Sequence, residues 1–150
     1  MAAPDSADAE IPAASRARVQ LADYVNTEHQ PLGFTFRGIV EGDIKSGDKV
    51  LVPDKSRVLM RLVSDPDSAG NLTVELWAFK FGDDWCEVRN AESAVGLFTI
   101  LKSVEDRRVA NPESRPISVR GKELYIPFHS ILHFETRRRL RLLNVGRYRP

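Results

Sequence analysis

Cysteine occurs once, at Cys86, so the chain can form no internal disulfide and thiol usage leaves the redox compartment open. No apolar run approaches the roughly eighteen residues that a membrane-crossing helix needs. The start shows no basic, apolar and small-residue succession of an export signal, which fits a cytoplasmic chain or a mature one whose signal was removed. Histidine is scarce, at three residues, and no catalytic motif occurs anywhere. Together these absences point away from a disulfide-stapled domain, a helical membrane protein and an enzyme.

The 150 residues are 42% hydrophobic, enough for one domain with a sizeable core and too apolar for a disordered chain. The net charge of +1 conceals an asymmetry. Residues 1–75 carry eight Lys/Arg against twelve Asp/Glu, residues 76–150 carry fourteen against nine, and residues 137–150 carry six Arg and no acid. A basic end on a near-neutral body can meet phosphate, lipid headgroups or an acidic partner, although a solvated strand and tail is the plainer expectation.

The chain is organised around Gly47–Val63. Val50, Leu51 and Val52 are an apolar, β-prone run, Pro53 presets a turn, and Ser56 opens a second run. In that run Val58, Met60 and Leu62 face one way and Arg57, Leu59 and Arg61 the other. The same frame returns at Gly121–Phe134: Gly precedes Pro by six positions, Pro precedes Ser by three, and apolar residues fill the three places before Pro. Two strand–turn–strand units of one pattern predict two hairpin-like corners of one sheet structure.

Alternation predicts further strands over Arg16–Tyr24, Phe34–Val40, Leu72–Phe79, Trp85–Val88, Ile117–Val119, Glu123–Ile126, Ser130–Thr136 and Arg138–Leu143. Gly38 marks a bend or a close backbone approach. Leu72, Val74, Leu76 and Ala78 are assigned inward. Trp77 and Phe79 then fall on the outer face with Thr73 and Glu75 and become the candidate protein-interaction surface. Steps of three and four through Ala94, Leu97, Phe98, Leu101 and Val104 predict one short amphipathic helix near 93–107. Asp65–Asn71 and Asn111–Pro116 are loop and linker material. The expected organisation is a disordered acidic leader over 1–15, a β-domain over 16–143 and a basic tail over 144–150. The fold class is all-β, a single barrel or sandwich of about nine strands with one inserted helix.

In that order the segments resemble the β-barrel domain of the TrbI-like family, the scaffold of conjugation and type IV secretion core complexes. The family's Leu-Ile-Pro-x-Gly-Ser-Arg-Leu-Ile-Gly segment matches Leu51–Met60, its Trp-bearing strand matches Gly70–Trp77, and its closing Pro-Gly hairpin matches Pro127–Leu132. Asp54-Lys55 and Phe128-His129 stand where the family has its Gly, and Arg138 or Arg139 stands at its Asp. The family's paired outer-membrane helices would fall between Val88 and Ile117, where only one short helix fits. The resemblance thus implies a barrel module without the channel. It would be a non-catalytic scaffold in the periplasm or cell envelope, in contact with other protein subunits or with itself, with no cofactor and no small-molecule substrate.

Three constellations remain. His129, His133 and Glu135 share one side of a strand and, with Cys86, would suit Zn²⁺, but exposed polar strand positions account for them more simply. Cys86 beside Trp85 fits a small core residue better than a nucleophile. Arg137, Arg139 and Arg141 on one strand face, with Arg147 and Arg149 beyond, form the candidate anion or nucleic-acid patch and the alternative function. Tyr148 alone offers little surface for base stacking.

Overall fold

The computed structural model describes residues 10–23, 25–26, 33–64, 73–91, 98–105, 125–126 and 129–147. Its regular elements are all strands: β1 (Glu10–Ile11), β2 (Arg16–Leu21), β3 (Val25–Asn26), β4 (Thr35–Val40), β5 (Ile44–Ser46), β6 (Lys49–Val52), β7 (Arg57–Ser64), β8 (Thr73–Phe81), β9 (Asp84–Asn90), β10 (Thr99–Glu105), β11 (Tyr125–Ile126), β12 (Ile131–Thr136) and β13 (Leu140–Gly146). Nine form one antiparallel sheet in the order β1-β13-β9-β8-β7-β4-β2-β12-β10, while β3 pairs with β11 and β5 with β6 as short arms. The sheet curls into a half-barrel, with β10 approaching β8. The Phe98 amide donates to Glu75 Oε1 at 3.1 Å and the Leu76 amide to Thr99 Oγ1 at 3.3 Å. Among the described residues no helix is long and apolar enough to cross a membrane.

The concave face holds the core. Val19, Leu21, Phe36, Val40, Met60, Leu62, Val74, Phe79, Leu132, Phe134, Leu140 and Leu142 are all at most 2% exposed. Ile11 joins them at 1%, so the ordered domain begins before position 16, with Ile11 opposite Leu140. At the other end Asn144–Gly146 belongs to β13 rather than to a tail. Met1–Ala9, the loop over Asp65–Asn71, the linker over 111–116, the strand at Ile117–Val119 and Arg149 lie outside the described residues.

The two Pro-centred units are corners, not hairpins. β6 pairs with β5, and β7 with β4 and β8, so the chain leaves an arm at Pro53 and enters the sheet at Arg57. In the second unit β11 likewise pairs with β3 as an arm, while β12 lies in the main sheet between β2 and β10. The turn chemistry repeats. Lys55 and His129, two positions after each Pro, have φ of 70° and 72°. The Lys55 amide donates to Val40 O and the Val40 amide to Ser56 O, each at 2.8 Å. The His129 amide donates to Leu21 O at 3.1 Å and the Leu21 amide to Ser130 O at 2.8 Å. Gly adopts this left-handed backbone most readily, and here Lys55 and His129 are held in it by these paired hydrogen bonds.

These corners belong to an internal two-fold repeat. Arg57–Leu62 of β7 correspond to Ile131–Thr136 of β12, Val74–Phe79 of β8 to Thr99–Val104 of β10, and β2 to β4. The correspondence holds pair by pair: Leu59↔Ala78 answers His133↔Ser103, and Met60↔Leu76 answers Phe134↔Leu101. It extends to Ala14 (φ 63°) and Gly33 (φ 82°), whose amides donate to Thr136 O and Leu62 O, each at 2.8 Å. The approximate axis runs through the Gln20↔Ile39 pair at the β2–β4 junction. Beside it, Gly38 is buried, and a Cβ there would lie 2.4 Å from Val19 Cγ1. Val19 is the residue related to it by the axis, so one side chain fills the space of both.

Both halves carry a β-bulge at the same place, and these two bulges correct two sequence expectations. Trp77 is the extra residue of β8, since Ala78 opposes Leu59 while Leu76 opposes Met60. A bulge reverses the alternation beyond it. Phe79 therefore turns into the core at 0% exposure, and Ala78 turns out to a second cluster with Leu59 and Trp85. Lys102 is the extra residue of β10. It spaces the core-contacting Leu101 and Val104 by three, a step that mimics a helix in sequence. Where a helix was expected near 93–107, Thr99–Glu105 is strand, and 93–97 and 106–107 lie outside the described residues.

Candidate functional site

The convex face of β7, β8, β9 and β13 carries a small apolar cluster of its own. Leu59, Ala78 and Trp85 are at most 9% exposed, with Trp77 and Val145 packed against them. The bulge turns Trp77 to this face, where it is half-buried. The Arg61 guanidinium lies 4.7 Å from its ring centroid, within the range of a cation–π contact. Arg61 Nη2 also sits 3.7 Å from Glu75 Oε2, and Glu75 Oε1 accepts the Phe98 amide. Glu87, at 9% exposure, pairs with Arg89. A cavity of ≈ 360 Å³ lies beside Trp77, between Arg61 and Arg89. Partly exposed Trp and Arg over a buried apolar floor is the composition of interface hot spots.

Of the two residues assigned to this surface, only Trp77 is on it, since Phe79 is in the core. Trp85, Val145 and Arg61 complete the patch. Arg61 and Leu59 were legible as outward positions of β7, whereas Trp85 and Val145 belong to the face only through the register of β9 and β13.

The Arg-rich segment does not make a stripe. Arg137–Arg139 form the connection between β12 and β13, and only Arg141 lies in a strand. Arg139 Nε is 3.6 Å from Glu10 Oε2, and Arg147 Nη2 is 3.9 Å from Asp83 Oδ2. Arg141 stands between Glu10 and Arg89 in the ladder, so β13 has strands on both sides there and is no free edge.

Cys86 and the histidines are not brought together. Cys86 is at 0% exposure in the core on β9, with four strands of the sheet between it and β12, which carries His133. Burial, helped by the charge of Asp84, pushes its thiol up to about 11, which opposes thiolate chemistry. His129 is exposed, with Nδ1 3.3 Å from Gln20 Nε2. Among the described residues no group of three His, Cys, Asp or Glu side chains is gathered as a metal site would need.

His133 is half-buried, and its pKa lies below the usual 6.5. Burial is the main cause and the charge of Arg18 adds to it, while Glu105 and Glu41 pull the other way. The unfolded chain therefore takes up the proton first as pH falls below 6.5, and stability present above that pH is lost on acidification. Thermal unfolding should shift to lower temperature between pH 7.5 and 5.5, and His133→Gln should flatten that slope. An unchanged slope in the variant would assign the acid sensitivity to other groups.

No protein family, curated protein or solved structure matches the chain. What it does is therefore to be read from its own residues.

Proposed function

We propose that this chain is a non-catalytic assembly module of a bacterial cell envelope system, of the type IV secretion scaffold kind, that acts by protein–protein contact. The observation that carries this reading is the convex cluster around Trp77, an apolar floor rimmed by Arg61 and Arg89 on the outside of an otherwise core-facing sheet. A soluble domain has no folding need for a second apolar cluster on its outer surface; a docking face does. The first corner is in keeping with the resemblance: Lys55 holds the left-handed position that the Pro-x-Gly of the TrbI-like pattern fills with Gly. Approach of β10 to β8 favours a sheet that closes into a barrel. In this reading the module sits in the periplasm or envelope and its partners are other subunits or a second copy.

Sedimentation of the purified chain over a broad concentration range tests the self-association arm, and photo-crosslinking from position 77 in envelope fractions tests the subunit arm. Trp77→Ala with Arg61→Ala should weaken association about tenfold or more, the loss expected for one hot spot. A monomer at every concentration that also gives no position-77 crosslink would overturn the proposal.

A further inference from the structure

The two-fold repeat supplies an internal control. Two sites built on matching backbone should carry similar side chains if the fold alone dictated them. Along the convex face of β4, β7 and β8 they do not. One half has a cavity of ≈ 420 Å³ bordered by Arg37, Arg57 and Lys80, with Leu59 and Trp85 as its apolar wall. It continues past Arg57 and Lys80 into a second cavity of ≈ 400 Å³ along the Pro53–Ser56 corner, where Lys55 stands. In the other half the matching positions hold Arg18, Ile131, Glu105 and His129. There Arg18 is already countered by acids, 3.7 Å from Glu41 Oε1 and 3.8 Å from Glu105 Oε2.

The first half is cationic by comparison. Among the described residues Arg57 and Lys55 make no ion pair. Lys80 lies 5.9 Å from the Trp85 ring centroid, beside Arg57 rather than beside an acid. Arg37 Nε is 3.5 Å from Asp23 Oδ2, with the Arg37 side chain 61% and the Asp23 side chain 28% exposed, so Arg37 is partly countered and still open to solvent. The Asp54 carboxylate on the corner is taken up by the Gly42 amide at 2.7 Å. Clustered cations cost the fold self-repulsion and return nothing to it without a counter-charge. The volume lies in the range of small-molecule sites, about 300–1,000 Å³. Guanidinium forks with an ammonium are suited to phosphate oxygens, and the Leu59–Trp85 wall is suited to a flat apolar body.

We infer that the groove bounded by Arg37, Arg57, Lys80 and Trp85 is a binding site for an organic phosphate, with the phosphates on the three cations and the body against Trp85. This goes beyond the assembly reading and does not depend on it: the two sites share Leu59 and Trp85, but the cations of the groove are Arg37, Arg57 and Lys80, whereas the docking rim is Arg61 and Arg89.

The probes are ADP and pyrophosphate, titrated into the full chain at low and at physiological salt. The readouts are Trp85 fluorescence in a Trp77→Phe background and backbone amide shifts. Saturable binding is expected below about 1 mM, a modest affinity of about −4 kcal/mol, with amide shifts centred on Arg57 and Lys80 and with ADP the tighter probe. Arg57→Gln should weaken it about tenfold or more, the loss of one charge-assisted contact. Lys80→Glu, which installs the charge of the other half, should abolish it. Arg18→Gln should leave it unchanged. All three positions are solvent-accessible, and thermal unfolding of each variant confirms that it folds. The inference is overturned if neither probe saturates, or if Arg57→Gln and Arg18→Gln weaken binding equally, which would mean diffuse attraction. Loss of this binding with association intact, or the reverse, separates it from the assembly reading.

Discussion

Gly38→Val should lower the free energy of unfolding by about 3 kcal/mol, at the upper end of what overpacking costs. The backbone at position 38 is ordinary strand, so the cost is one of space. A Cβ would lie 2.4 Å from Val19 Cγ1, 2.7 Å from Met60 Cε and 3.1 Å from the Gln20 carbonyl. Met60 can swing its methyl aside, but Val19 is stiff and the backbone cannot yield cheaply. Because the two-fold axis relates position 38 to position 19, the double variant Val19→Gly/Gly38→Val moves the side chain to the other side of the same space. It should regain a substantial part of what the two single variants lose, with a coupling of about 1–3 kcal/mol in a denaturant cycle. Simple additivity of the two losses would show that the positions do not share one volume.

Phe79→Ala should cost about 3–5 kcal/mol, as for a fully buried ring, whereas Trp77→Ala should cost about 1 kcal/mol through lost cation–π and surface packing. The contrast depends on the bulge at Trp77. Phe79 lies at 0% exposure between Val58 and Cys86, while Trp77 is a half-buried residue under Arg61. Urea unfolding of the two variants measures it. A larger loss at 77 than at 79 would restore the unbroken alternation and remove the convex cluster with it.

How far the sequence revealed this architecture depended on how regular each segment was. β2, β4, β7 and β12 lie where alternation placed them, because Arg16–Leu21, Thr35–Val40, Arg57–Leu62 and Leu132–Thr136 keep one phase. The repeated Gly…Pro…Ser frame pointed to two equivalent corners. It did not show that each corner joins an arm to the sheet, since strand partners are chosen by residues far along the chain. Phe79 and β10 were misjudged for one shared reason. A single inserted residue changes a step of two into a step of three, and Leu76-to-Phe79 and Leu101-to-Val104 then look like a face change or a helix. Of the candidate site, Trp77 and Arg61 were legible as outward residues. Trp85, Val145 and Lys80 were not, because their place beside Leu59 is a property of cross-strand register. The Arg run looked like a strand face because it alternates with Leu, but Arg137–Arg139 only carry the chain from β12 to β13.

The repeat is nested. One copy runs without interruption from Gly33 to Phe81, while the other begins at Ala14 and reaches its last strand only at Thr136. During synthesis the uninterrupted copy can fold on emergence, but β2 stays without its β12 neighbour until more than a hundred further residues have been made. Pairing at such sequence distance is slow to form. A nascent chain stalled short of Ile131 would expose the bare side of β2 as a template for another molecule, and the first copy would then be holding open the gap that its twin is meant to fill.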